Sequence, residues 1–271
     1  MDPALSTPAG PDGDFVTALA RGLEVLEAFS ADAAEMTLSE VAQRTGLSPA
    51  TVRRSLLTFE RLGYVTRNGR RFLLTARVLG LGAAYARSMN LRDVAHQHLT
   101  GLVTAFDDAA SMTILDRNDV VYIAHVPPQR GSLVRHHVGA RLPAHATSTG
   151  HVLLAQLDAA ALEAYLAQAP FPRFTSRTPV QAEQVRKAVD AARRHGHAVV
   201  QDTVEYGAVA IAVPVHDGQG RVVAAINSSS DSARTDAVAI RQQRLTVLQD
   251  TAALISETLQ RYPTLARSIG R

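Results

Sequence analysis

The chain has 271 residues, enough for about two domains at roughly 150 residues each, and its 28 basic and 25 acidic residues leave a formal charge of only +3. It contains no cysteine, which excludes disulfides, Cys-based zinc or iron–sulfur centres and a thiolate nucleophile, and suits a reducing cytoplasm. The N-terminus lacks a basic and apolar leader pattern, and no apolar run approaches the ~18 residues of a membrane span; a soluble intracellular protein is expected.

Residues 1–13 contain Pro3, Pro8 and Pro11 among small residues and are expected to be a disordered tail. From Phe15 to Phe29, Leu19, Leu23, Leu26 and Phe29 recur at helical spacing and predict a helix with one buried face. Thr37 and Glu40 form a T-x-x-E capping box for a short helix that Gly46 ends. Ser48 then reads as an N-cap with Pro49 at the first helical position. The helix it opens turns Val52, Leu56 and Phe59 inward, and Ala50, Thr51, Arg54, Thr58 and Arg61 outward. After Gly63, strands at Tyr64–Thr66 and Phe72–Leu74 flank Asn68-Gly69, a strong hairpin signal. Helix, helix, tight turn, helix and hairpin make a winged helix-turn-helix of mainly α type over residues 14–74.

Charge agrees with that reading. Only Lys187 is a lysine, so an isolated arginine says little in this chain. Yet Arg44, Arg53, Arg54, Arg61, Arg67, Arg70, Arg71 and Arg77 face the single acid Glu60 over residues 44–77, a local balance of +7 in a chain whose remainder is mildly acidic. Such a stripe suits a polyanion. In this motif the second helix enters the major groove and its N-terminal residues meet base edges. The candidates there are Ser48, Ala50, Thr51, Arg53 and Arg54. Arg54 is placed for bidentate contact to guanine, and Ala50 and Thr51 for a thymine methyl. Arg67, Arg70 and Arg71 flank the hairpin tip, within reach of phosphate or a minor groove.

Residues 75–90 predict a linker helix through Leu79 and Tyr85, which joins the reader to whatever follows and is the expected conduit between them. A second domain spans 91–265. It opens with a helix from Leu91 to Phe106, followed by strands at Ser111–Leu115, Val120–Val126 and Leu133–Val138. Helices follow near Thr149–Gln156, Asp158–Ala167 and Gln181–His195. Strands return at Ala198–Gln201, Ala208–Val215 and Arg221–Ser228 before a long helix from Asp236 to Tyr262. This order predicts an α+β domain around a mostly antiparallel sheet. On an alternating strand, Arg135 and His137 share one face and His136 the other; one of these basic groups is a candidate partner for a small carboxylate, with a surface-facing role equally open.

The N-terminal run LSEVAQRTGLSPATVRRSLLTFERLGYV and the stretches GARLPAHATSTGHVLLA (139–155), EYGAVAIAVPV (205–215) and GRVVAAINSSSDSART (220–235) resemble the IclR family of transcriptional regulators, over nearly the whole chain from Phe15 to Tyr262. RSMNLRDVAHQHL and DVVYIAHVP further resemble the branch that regulates aromatic-acid catabolism, including protocatechuate and 4-hydroxybenzoate regulators. The resemblance implies a GAF-like effector-binding domain that takes a small organic acid, and homodimers, often paired into homotetramers, on partly palindromic operator DNA. It places Ser148 and Thr149 at a helix start in the effector site, Ala208 and Ala210 on the second-signature strand, Asn227 and Ser229 on the third, and Leu142 as an apolar wall. One departure stands out: Val209 occupies the usual position of an arginine.

All ten histidines follow residue 95, and His125, His136, His137, His145 and His151 crowd into one stretch. No H-E-x-x-H or other short ligand spacing accompanies them, so satisfied structural histidines are expected rather than a metal site. TSTGH lacks the G-x-S-x-G elbow, and Gly80 and Gly82 follow no strand, which argues against a hydrolase triad and a dinucleotide fingerprint. No cofactor and no catalytic residue are expected. The alternative from another class is a small-molecule-binding enzyme or metabolic sensor whose helix-turn-helix serves protein contact.

Overall fold

A computed structural model of the chain describes residues 15–30, 32–81, 91–129 and 136–261, with the side chains of residues 91–94 excepted. The expected disordered tail, the linker helix beyond Leu81, Arg135 with most of its predicted strand, and Tyr262 lie outside the described residues. The chain divides into two compact units, residues 1–87 and 88–271.

In the first unit, helix α1 (Thr17–Glu27) is followed by strand β1 (Glu35–Thr37), α2 (Leu38–Thr45), α3 (Pro49–Leu62), β2 (Val65–Asn68) and β3 (Arg71–Leu74). The capping box is formed: the Glu40 amide donates to Thr37 Oγ1 at 3.3 Å and the Thr37 amide to Glu40 Oε2 at 2.7 Å. Gly46 ends α2 at φ +70, a left-handed conformation that a β-carbon disfavours. The three strands form an antiparallel sheet in the order β1-β3-β2. Strand β1 escapes a pattern search because three residues are too few to show alternation. Its Met36 pairs with Phe72 and is buried with it beside Val25, Val41, Val52, Leu56 and Val65.

Two expectations change. Leu19 and Leu23 are exposed, and α1 instead buries Gly22, Val25 and Leu26. The reason is close approach: a β-carbon on Gly22 would stand 3.3 Å from the Phe59 ring of α3. The hairpin turn is also one residue later than read. Asn68 pairs with Arg71, so Gly69 and Arg70 form the loop, with Gly69 at φ +59 and no positive φ at Arg70. A two-residue hairpin with glycine at its first central position suits the strand twist.

In the second unit, α4 (Leu91–Phe106) leads into β4 (Ala109–Asp116), β5 (Asp119–Val126) and β6 (Arg141–Pro143). A 3-10 turn (Ala144–Ala146), α5 (Ser148–Leu154), α6 (Ala159–Leu166) and α7 (Ala182–His195) follow, then β7 (Ala198–Gln201), β8 (Ala208–His216), β9 (Val222–Asp231) and α8 (Ala237–Arg261). The six strands are antiparallel in the order β6-β5-β4-β9-β8-β7. The fold is the expected α+β class. Of the predicted third strand, the described residues His136–Val138 belong to no strand: Val138 and Gly139 form a turn, with Gly139 at φ +89.

The sheet separates two cores. Ala110, Met112, Val209, Ile211, Val213, Ala224 and Ile226 pack with α4 and α8 on one face. Val120, Tyr122, Ala212 and Ala225 pack on the other with α5, α6 and α7. Helix α5 crosses the 3-10 turn so closely that a β-carbon on Gly150 would lie 2.1 Å from the Ala144 carbonyl oxygen. A buried ion pair joins α8 to the approach to β4: Asp108 Oδ2 accepts from Arg244 Nε at 2.7 Å and Nη2 at 2.6 Å.

Candidate functional site

Helix α3 presents its reading face as the sequence implies. Ser48 caps it, accepting from the Thr51 amide at 3.3 Å, and the two hydroxyls share a 3.0 Å hydrogen bond. Ala50, Arg53 and Arg54 follow at the spacing of one helical face and are exposed. Among the described residues, none pairs with the guanidinium of Arg53, Arg54 or Arg70. The other hairpin arginines are partly committed. Arg67 Nη2 donates to Glu60 Oε2 at 2.7 Å and lies 5.0 Å above the Phe72 ring. Arg71 donates to the Glu35 carbonyl at 2.8 Å and reaches Glu40 at 3.4 Å. These arginines therefore divide into free cations on α3 and the hairpin tip, and cations that brace the wing, while Arg44 of α2 reaches Ser30 and Asp32.

In the second unit the α5-facing side of the sheet is unusual for its polarity. Alternation puts Ser111 and Thr113 of β4 on this face, and register sets them beside Asn227 and Ala225 of β9. Ala210 and Ala212 of β8 lie opposite Ser229 and Asn227. Small side chains thus surround a few polar ones. Ser111 Oγ shares a 3.0 Å hydrogen bond with His125 Nδ1, and Asn227 Nδ2 donates to Ser229 Oγ at 2.8 Å. Thr113 Oγ1 and Asn227 Oδ1 are buried without a hydrogen-bond partner. Leaving such groups unpaired costs about 1–3 kcal/mol each.

The candidate effector residues come together only in part. Ala208, Ala210, Asn227 and Ser229 share this face, and buried Ser148 and Thr149 approach it from α5. The N-cap of α5 is Thr147, whose Oγ1 accepts from the Gly150 amide at 3.1 Å. Leu142 of β6 pairs with Val120 toward the edge of the same face. His137 is exposed, whereas His136 turns inward, its ring 4.7 Å from that of Tyr122 and 6.5 Å from that of His125. The alternation argument fails here because this segment is not a strand. Val209 is fully buried on the opposite face, so nothing charged replaces the absent arginine there.

Ser111, Thr113, Tyr122, His125 and Glu205 were not among the sequence candidates, although polar Ser111 and Thr113 alternate with Met112 and Ile114 in a readable period of two. Electrostatics mark the same cluster. Burial, with the charges of His125 and His137, lowers His136 to about 4. Burial and His137 also lower His125, burial raises Glu205, and burial together with the Glu205 charge raises the Tyr122 phenol. Glu205 sits on the β7–β8 loop, which Thr178 Oγ1 ties at the Thr203 carbonyl (2.7 Å) and Thr203 Oγ1 ties to the Ala146 carbonyl (2.7 Å). The remaining histidines of the crowded stretch are structural. His145 Nε2 is 3.0 Å from the Pro172 carbonyl with its ring stacked on Phe171, and His151 Nε2 donates to the His145 carbonyl at 2.7 Å.

A cationic recognition helix in one unit and an under-partnered polar sheet face in the other are the two halves of a transcriptional regulator that reads DNA and answers to a small molecule. The chain belongs to the IclR family of bacterial regulators: the IclR helix-turn-helix domain matches residues 18–69 and the bacterial transcriptional regulator IclR C-terminal domain matches residues 83–257. It is 38% identical over 238 residues to the Pca regulon regulatory protein of Pseudomonas putida, covering 88% of this chain and 82% of that one. It is 36% identical over 244 residues to the p-hydroxybenzoate hydroxylase transcriptional activator of Acinetobacter baylyi, covering 88% and 90%. The crystal structure of an IclR homolog from Microbacterium hydrocarbonoxydans complexed with 4-hydroxybenzoate superposes with a TM-score of 0.75 at 27% identity, covering 90% and 99% of the two chains. Among the described residues, no helix is long and apolar enough to cross a membrane.

Proposed function

We propose that this regulator controls an aromatic-acid catabolic operon from the cytoplasm, with an effector of the 4-hydroxybenzoate or protocatechuate type bound against the α5-facing side of the sheet. The observation that carries the reading is the pair of buried, unpartnered atoms Thr113 Oγ1 and Asn227 Oδ1, set on a face of alanines and hydroxyls. A flat ring fits small side chains, and a phenolic hydroxyl supplies the missing hydrogen bonds. Similarity to regulators named for the Pca regulon and for p-hydroxybenzoate hydroxylase supports that chemistry.

On DNA, Arg54 reads a base edge, Arg53 lies beside it on the same exposed face, and Arg70 holds phosphate from the hairpin tip, with Arg67 and Arg71 flanking it. A homodimer, or a tetramer of paired dimers, sets two α3 helices into major grooves about 34 Å apart. The effector acts by binding operator-competent and incompetent arrangements unequally, since equal affinity shifts nothing.

Fluorescence anisotropy of the full chain on the DNA upstream of its own gene, with and without 4-hydroxybenzoate or protocatechuate, tests this reading. Specific, salt-dependent binding that either acid changes is expected. Specific DNA binding indifferent to both acids would overturn the effector class, and no specific binding would overturn the operator model.

A further inference from the structure

Within the proposed effector site, and resting on that reading, the arrangement of imidazoles goes further than a polar lining. The sheet face offers neutral hydroxyls and amides but, among the described residues, neither arginine nor lysine. The cationic groups it can make are histidines. His125 of β5 uses Nδ1 toward Ser111, and Ser111 is a two-way partner: its hydroxyl donates to a neutral ring and accepts from a charged one. Nε2 of His125 is left unused by Ser111, and it carries a hydrogen whenever the ring is charged or Ser111 donates to Nδ1. His136 lies tilted over the Tyr122 ring and makes no hydrogen bond to any described residue. A protonated imidazole there would gain from the face of the aromatic ring.

The surroundings of both rings disfavour a charge on them. His137 approaches from the same segment as His136 and adds like charge, while no described carboxylate pairs with either ring. From the β7–β8 loop, Glu205 faces Tyr122 rather than the imidazoles. From the 3-10 turn and α5, His145 and His151 have their Nε2 atoms engaged by backbone carbonyls. Helices α4 and α8 stand on the far side of the sheet. With ring centroids 6.5 Å apart, two charged imidazoles repel each other, so one proton between them is the stable load.

We propose that His125 and His136 together read the carboxylate of the aromatic acid, and that one of the two imidazoles takes up a proton as the acid binds. The carboxylate then meets a charge-assisted N–H donor on a face that, among the described residues, carries neither arginine nor lysine. Because the free rings are neutral near neutrality and the bound pair is charged, affinity rises as pH falls. It should change by up to about tenfold per pH unit between about pH 6 and pH 8, where a carboxylic acid is already ionised.

Isothermal titration of the full chain with 4-hydroxybenzoate, in buffers of different ionisation enthalpy, reads the proton directly and needs no variant. Uptake approaching one proton per bound acid is expected. His136→Gln and His125→Gln should each lose most of that uptake. They should weaken the acid by about tenfold while barely changing affinity for 4-hydroxybenzamide, the neutral analogue. Binding of 4-hydroxybenzoate with no proton uptake and with unchanged affinity in both variants would overturn the inference and leave the effector reading standing. Failure of the wild-type chain to bind 4-hydroxybenzoate at any pH would overturn the inference together with the assignment of this acid as effector.

Discussion

Replacing Asp108 by alanine tests whether the sensing sheet is held in register by one buried charge pair. Asp108 is 2% exposed and Arg244 5% exposed, and the two share contacts of 2.7 and 2.6 Å. Without the carboxylate, Arg244 keeps the 2.8 Å contact with Gln243 Oε1 and the Phe106 ring 4.9 Å away, but its charge stays buried. Breaking such a pair from one side costs about 3–5 kcal/mol, chiefly for the stranded ion. Arg234 also reaches Asp108, at 3.3 Å, but its side chain is 46% exposed, so its loss adds no more than about 1 kcal/mol. Asp108→Ala is therefore expected to lower the unfolding free energy of the second unit by about 4 kcal/mol. Asp108→Ala with Arg244→Met should recover most of it, because the double substitution leaves no unpaired charge. Urea denaturation followed by circular dichroism measures both. A single variant within about 1 kcal/mol of wild type, or a double variant no more stable than the single, would refute the argument.

Gly150→Ala should unfold or strongly destabilise the chain, since its β-carbon meets the Ala144 backbone at 2.1 Å, whereas Gly101→Ala, with open space on α4, should stabilise by about 0.5–1 kcal/mol; melting temperatures decide. Burial lowers His151 to about 4 from an ordinary 6.5, so the stability that depends on its neutral ring is complete above about pH 6.5 and is lost as pH falls toward 4, by up to about 3 kcal/mol. His151→Gln, which keeps a donor for the His145 carbonyl, should flatten that acid slope in urea midpoints compared across this range; an unchanged slope would assign it elsewhere. On DNA, Arg54→Ala should relax preference at one base position by about tenfold or more, while Arg70→Ala should weaken all sequences alike and reduce the salt slope by about one. Uniform weakening by both would remove Arg54 from base readout.

The reader was legible almost residue by residue because its signals are local. Caps, a glycine stop, a Ser-Pro helix start and a hairpin turn each declare themselves within four residues, and Thr37, Glu40, Ser48 and Pro49 all do what their spacing implies. Leu19 and Leu23 misled because helical spacing reports an apolar stripe but not which neighbour covers it; Gly22, with no side chain to score, marks the true contact. The sheet order β6-β5-β4-β9-β8-β7 brings Ser111 beside Asn227 across more than a hundred residues, which no local pattern encodes. The signature stretches nonetheless pointed to Asn227, Ser229, Ala208 and Ala210, which do share a face. The alternation that groups Arg135 with His137 and sets His136 apart holds only in a strand, and residues 136–138 are not part of one.

The irregularity in β5 matters beyond packing. Ser111 pairs with His125 and Met112 with Ala124, yet Thr113 pairs with Tyr122, so Ile123 is one residue more than the register needs. That surplus lets Ile123 and Ala124 enter the same core, and it turns Tyr122 and His125, three apart, toward the same side. Deleting Ile123 would restore strict alternation with Tyr122 and His125 two apart and still on one side, whereas drawing Ile123 into a regular ladder would send one of those two rings to the opposite side of the sheet. A strand that kept Ile123 but lost the bulge would thus present a different sensory chemistry with no side chain changed, and the selectivity of such a regulator is written in strand register as well as in residue identity.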